Sequence, residues 1–153
     1  MRPPFVAALR NPISAAPTDE GDLARLRRQY FGMISAVDEQ LGRVWDALQR
    51  TGAWDDTYIV VTADHGEQLG DHGLQQKLGW FEESHHVLGI VRDPSDQADA
   101  TRGTVIDRFT ENVDVFPTLC DAMGIDVPVQ CDGVPLTPLV HGIDPPWWRD
   151  AAH

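Results

Sequence analysis

Asp64 and His65 stand side by side where an apolar run, Tyr58-Ile59-Val60-Val61-Thr62, gives way to a glycine-rich stretch, and Lys77 follows within it. Residues 62–80 read TADHGEQLGDHGLQQKLGW. Carboxylate oxygen alone favours hard cations such as calcium or magnesium. An adjoining imidazole moves the preference toward manganese, iron or zinc. A lysine nearby can neutralise a transferring sulfuryl or phosphoryl oxygen, or the developing oxyanion of a leaving group. Each residue also has a plainer role: Asp64 capping backbone amides of a turn, His65 merely polar, Lys77 solvated. The apolar strand before the pair and the lysine after it favour the metal, because ligands of α/β proteins gather outside the carboxyl ends of strands.

Four of the six histidines, His65, His72, His85 and His86, lie between residues 65 and 86. Their spacing matches no zinc-finger or metalloprotease pattern. His72 is expected to fix the loop or support the ligands. His85 and His86 are expected at a strand entry rather than on a metal. Cys120 and Cys131 form no CxxC pair and lack the basic surroundings of an activated thiolate, so Cys120 reads as a small core residue and Cys131 as a loop or packing residue. The sequence contains neither a serine nucleophile elbow nor a phosphate-cradling glycine loop. Trp147 and Trp148 are an interface patch or the packed end of the tail.

The elements that must position these groups follow from periodicity. Leu23, Leu26, Tyr30, Ile34, Val37, Leu41, Val44 and Leu48 recur at helical spacing and make one apolar stripe, with Gly52 as a stop. Residues 57–63 read as a strand buried on both faces, the pattern of a parallel sheet. A second strand is expected near Val87–Arg92, with Gly89 at a packed position. Asp114 is expected to cap a short helix carrying Val115, Leu119, Cys120 and Met123, ended by Gly124. Residues 1–18, broken by Pro3, Pro4, Pro12 and Pro17, are expected to be irregular. Residues 19–126 form the α/β core of a single domain spanning 1–153, and 127–153 form a proline-rich tail.

A chain of 153 residues with 42% hydrophobic content can bury a core. Its net charge of −12 disfavours nucleic acid and anionic membranes as partners. Small anionic substrates remain compatible, because a bound cation reverses the local field. The N-terminal stretch MRPPFVAALRNPISAAP has neither the apolar run of a secretory signal nor that of a membrane span. Two isolated cysteines suit a reducing, cytoplasmic setting.

The stretch YFGMISAVDEQLGRVWDALQRTGAWDDTYIVVTADHGEQLGDHGLQQK resembles the sulfatase family of the alkaline phosphatase superfamily. A long helix, a strand ending in (S/A)DHG, a glycine loop and a lysine recur there in that order. The later stretch GTVIDRFTENVDVFPTLCDAMGIDVPVQCDGVPLTPLVHG follows the same pattern, and its ENVDVFPTL and QCDG are most similar to the phosphonate monoester hydrolase and arylsulfatase branch. The resemblance covers residues 19–150. It implies part of an alkaline-phosphatase-like α/β/α sandwich with a mostly parallel sheet. It further implies hydrolysis of sulfuric or phosphonic esters at one divalent metal ion, whether manganese, calcium, iron or zinc. Asp64 and His65 would be metal ligands, and Lys77 would contact the transferring group and the leaving oxygen. Many sulfatases carry Asn where His65 stands, and the histidine weakens a calcium assignment.

The chain departs from the family in several places. Family members are much longer. Their nucleophile is a formylglycine made from a C/S-x-P-x-R motif that is absent here. Arg2, in RPPFV, stands where the family's HPPF segment has a catalytic histidine, and arginine is no general acid near neutral pH. The expectation is therefore the C-terminal, metal-and-lysine half of a sulfatase-type catalytic domain, inactive alone. Its substrate would be a small anionic ester, and a second polypeptide would supply the nucleophile. The competing expectation is a catalytically inactive remnant that binds metal or a partner.

Overall fold

The structure is a computed structural model that describes residues 4–152. Arg2 lies outside the described residues. The described chain divides into two compact units. The first contains the segment through Arg50 together with Ala63–Leu88, and the second contains Thr51–Thr62 and the chain from Gly89 onward.

The first unit opens on a short helix, α1 (Pro4–Leu9), within the stretch expected to be irregular. Proline is accommodated at a first helical position, where its missing N–H is not needed. An Asn11-centred turn follows. Asn11 Oδ1 accepts the Ile13 and Ser14 amides, and Ser14 Oγ donates to the Leu9 carbonyl at 2.7 Å. The long helix α2 (Glu20–Thr51) forms where the stripe predicts it, and Gly52 ends it at φ 71°. No residue of α2 is buried among the described residues, and Phe31, Met33, Ile34, Val37 and Val44 all stand exposed. The periodicity thus specified a helix and an apolar stripe, but nothing described here covers the middle of that stripe.

The remainder of the unit is the glycine-rich loop and α3 (Glu82–His85). The small core between these pieces contains Val6, Ala16 and Leu74 with the polar side chains of Ser14, Gln68 and Ser84. Ala15 pairs with Leu74 as an isolated antiparallel bridge, and the Gln75 amide donates to the Ser14 carbonyl at 2.8 Å. Arg27 of α2 donates through Nε to the Leu69 carbonyl at 2.9 Å and so ties the helix to the loop.

In the second unit β1 (Ile59–Thr62) pairs antiparallel with β2 (Gly89–Arg92), with Ile59 opposite Arg92 and Thr62 opposite Gly89. This corrects the expected mostly parallel sheet, since the one strand pair among the described residues runs antiparallel. The strands are also half-exposed rather than buried on both faces, and a Cβ on Gly89 would meet nothing within 4 Å. Gly89 is therefore not at a packed position. An unbroken apolar run signals what a strand can bury, while its orientation depends on the neighbour it finds. Arg92 pins the end of the pair, lying 4.3 Å over the Trp54 ring and donating to the Thr57 carbonyl at 2.8 Å.

The helix α4 (Val115–Ala122) buries Cys120 and ends at Gly124 as expected. Asp114 plays a different part from the expected cap. Its side chain bonds no amide of α4. It instead accepts the Glu111 and Val134 amides and a bidentate pair from Arg149, at 2.5 and 2.7 Å. The tail that carries Arg149 also holds a four-residue helix, α5 (Thr137–Val140). No helix among the described residues is long and apolar enough to cross a membrane.

Candidate active site

The site is built on the turn that leaves β1. Asp64 is largely exposed and His65 partly so. Asp64 Oδ1 accepts the His65 amide at 3.0 Å, which leaves Oδ2 facing the imidazole. His65 Nδ1 lies 2.8 Å from the Gly66 carbonyl oxygen. A carbonyl only accepts, so Nδ1 carries a proton, and in the neutral ring the lone pair is therefore on Nε2. That Nε2 lies 3.6 Å from Asp64 Oδ2. A carboxylate oxygen and a neutral imidazole nitrogen are thus brought together, with the imidazole tautomer set by a backbone carbonyl as metal-binding histidines require.

Gly66 holds this turn against α3. Its amide donates to the Ser84 carbonyl at 2.8 Å, and a Cβ there would sit 2.1 Å from the Glu83 carbonyl oxygen. The glycine is needed for this close approach. Beyond it, Leu69, His72 and Gln76 all adopt positive φ, at 48°, 54° and 66°. Three non-glycine residues in the left-handed region within one loop mark a conformation over-determined by its surroundings.

His72 is one of those surroundings. Its ring stacks on Phe81 at 3.9 Å, and its Nε2 lies 3.4 Å from Glu83 Oε2. It fixes the loop, as expected. His85 stacks on Trp80 with Nε2 3.1 Å from the Gly79 carbonyl oxygen, and His86 pairs with Glu82 at 3.0 Å. Both precede β2. Among the described residues no group of three or more His, Cys, Asp or Glu side chains converges as a metal site. Lys77 is exposed and makes no ion pair among the described residues. It shares the unit and the loop with Asp64 and His65.

Several buried polar groups carried no signal in the sequence. Gln68 is fully buried beneath the loop. In the second unit Asp93 accepts from His141 Nε2 at 2.8 Å and from the Ser95 amide at 2.7 Å. Burial alone would raise the Asp93 carboxyl, but these hydrogen bonds outweigh it and hold the group below its ordinary value. Burial, with Asp93 and Asp121 nearby, pushes the Tyr58 hydroxyl up to about 12.

The family model described as Sulfatase matches residues 8–125. The chain belongs to the sulfatase family. Curated relatives agree. The multifunctional alkaline phosphatase superfamily protein PehA of Trinickia caryophylli is 41% identical over 140 residues, covering 92% of this chain and 27% of the relative. The choline-sulfatase of Rhizobium meliloti is 41% identical over 128 residues, covering 82% of this chain and 24% of the relative. Among solved structures, the phosphonate monoester hydrolase of Agrobacterium radiobacter is similar with a TM-score of 0.80 at 47% identity, over 86% of this chain and 26% of that one. The phosphonate monoester hydrolase SpPMH of Silicibacter pomeroyi gives a TM-score of 0.82 at 38% identity, over 87% of this chain and 26% of that one. This sulfatase-family chain therefore spans about a quarter of the length of the relatives it matches. Its fold is that of the corresponding part of an alkaline-phosphatase-like α/β domain.

Proposed function

We propose that this chain carries the metal-and-lysine half of the active site of a sulfuric or phosphonic ester hydrolase. The observation that carries the reading is the Asp64–His65 pair. Oδ2 and Nε2 are 3.6 Å apart, and Nδ1 is tied to the Gly66 carbonyl. This donor set fits two ligands of one divalent ion of the manganese, iron or zinc type, with calcium less suited to the imidazole. When bound, such an ion would act as a Lewis acid toward the oxygens of the ester. In this reading Asp64 and His65 hold the ion, and Lys77 binds the transferring group and its departing oxygen as a point positive charge. The substrate class is a small anionic ester. The nucleophile and the remaining ligands come from polypeptide outside this sequence, which has no C/S-x-P-x-R motif. The two free cysteines, Cys120 buried and Cys131 half-buried, suit a reducing cytoplasm.

A second reading, a metal-binding remnant without chemistry, draws on the limited donor set, because the described residues offer no third converging ligand. Two measurements separate the readings. Calorimetric titration with manganese and zinc should show binding that His65→Ala abolishes. No binding, or binding unchanged by that substitution, refutes the metal site. The purified chain should not turn over an aryl sulfate or a phenyl phosphonate ester. Adding a polypeptide that carries the formylglycine segment should restore turnover, and Lys77→Ala should remove it. Turnover that survives Lys77→Ala overturns the role of the lysine, and failure of any complement to restore it favours the remnant.

A further inference from the structure

Lys77 is the chain's one lysine, beside eleven arginines. The structure shows what holds the backbone around it. The Gln68 amide donates to the Gln76 carbonyl at 3.1 Å, and the Gln68 side-chain Nε2 donates to the Leu78 carbonyl at 3.0 Å. These two acceptors belong to the residues on either side of Lys77. The second hydrogen of Nε2 goes to Ser84 Oγ at 2.6 Å, which ties the same amide to α3. Glu67 Oε1 accepts the Gln76 amide at 2.6 Å and the Leu69 amide at 3.2 Å. Gln76 needs such restraint, because its φ of 66° is unfavourable for a side chain with a Cβ.

The orientation of the Gln68 amide is informative. Its Oε1 is buried and has no hydrogen-bond partner among the described residues, while both hydrogens of Nε2 are committed. Turning the amide over would place Oε1 against the Leu78 carbonyl, two acceptors face to face. The unpaired buried oxygen carries a desolvation cost, and the two donor bonds to the lysine loop and α3 offset it.

We propose that Gln68 is a positioning residue for Lys77: its backbone amide holds the carbonyl before the lysine, its side-chain amide holds the carbonyl after it, and together they fix the backbone from which the lysine is presented on the loop it shares with the Asp64–His65 turn. The inference rests on the hydrolase reading of Lys77 for its purpose, but the grip itself can be tested separately.

Labelling the full chain with 15N-lysine gives a single lysine amide cross-peak, that of Lys77. In the unaltered chain this peak should show an ordered heteronuclear NOE and should move on titration with inorganic sulfate. Gln68→Met keeps the volume and removes the side-chain donors to Leu78 and Ser84, while the backbone amide bond to the Gln76 carbonyl stays. The NOE of Lys77 should fall, and the half-saturating sulfate concentration should rise roughly tenfold, the effect of losing one or two hydrogen-bonded restraints. Ser84→Ala removes one partner of Nε2 and the longer 3.4 Å bond from Ser84 Oγ to the Leu78 carbonyl, but leaves the Gln68 bond to Leu78, and should loosen the Lys77 peak less than Gln68→Met does. If Gln68→Met fails to fold, Gln68→Leu, which also removes the side-chain donors, takes its place with the same expected loosening of Lys77. An unchanged Lys77 NOE in folded Gln68→Met, or equal loosening by Ser84→Ala, overturns the proposal. A peak that loosens in Gln68→Met but ignores sulfate in every variant sustains the positioning role and refutes the anion-binding reading instead.

Discussion

Replacing Gly66 by alanine tests whether the Asp64–His65 turn depends on its close packing against α3. The added Cβ would lie 2.1 Å from the Glu83 carbonyl oxygen and 3.0 Å from the carbonyl carbon, against ordinary contact beginning at 3.4 Å. Both obstructing atoms are backbone, so no side chain can swing aside. Relief requires the turn and α3 to part by more than an ångström. The Gly66 amide bond to the Ser84 carbonyl, now 2.8 Å, would then exceed hydrogen-bonding range. Overpacking of this kind costs about 1–3 kcal/mol and the lost hydrogen bond about 1 kcal/mol, so destabilisation of about 2–4 kcal/mol is expected. Urea denaturation read by amide hydrogen exchange within residues 66–84 measures it in the right place. Gly89→Ala is the matched control, with nothing within 4 Å of the new methyl group and an expected change within about 0.5 kcal/mol. Manganese affinity should fall in Gly66→Ala, because the Gly66 carbonyl also orients the His65 imidazole. Equal stability of the two variants would show that the contact between the turn and α3 is not what holds the site.

Two further substitutions probe the second unit. Asp114→Asn leaves the Arg149 guanidinium half-paired in a nearly buried setting, and should destabilise by about 3 kcal/mol as read by urea denaturation; a loss below about 1 kcal/mol would show the pair to be dispensable. Asp93 is held below its ordinary carboxyl value of 3.8, so its contribution to stability is complete above that value and drains away as pH falls through the lower folded value. Asp93→Asn should therefore flatten the acid limb of the stability profile below about pH 4 and leave its slope near neutrality alone. An acid limb identical to that of the unaltered chain would assign the acid sensitivity to other carboxylates.

Legibility differed by scale. The helix α2 and the stops at Gly52 and Gly124 could be read directly, because helical spacing and left-handed glycines are local properties. Strand direction could not, since an apolar run does not name its partner. Asp64, His65 and Lys77 were visible as residue types that do chemistry at a strand end. The residues that hold them were not. Gln68 and Ser84 are polar side chains in the core, and neither periodicity nor composition distinguishes them from solvated neighbours until the loop has closed over them. Asp114 shows the same limit from the other side. Its place before α4 suggested a cap, whereas Arg149, far along the tail, determines what the carboxylate does.

The network beneath the loop has a consequence for how the site is assembled. Gln68 reaches Leu78 across 10 residues and Ser84 across 16, and Glu67 reaches Gln76 across 9. Closing such short segments sacrifices little chain entropy, and contacts of low sequence separation form fast. The Asp64–His65 turn and the lysine can thus be brought into register as the nascent chain emerges, ahead of any long-range sheet pairing. On the proposed hydrolase reading, a polypeptide that contributes the nucleophile would then meet a surface already set, rather than one it has to shape.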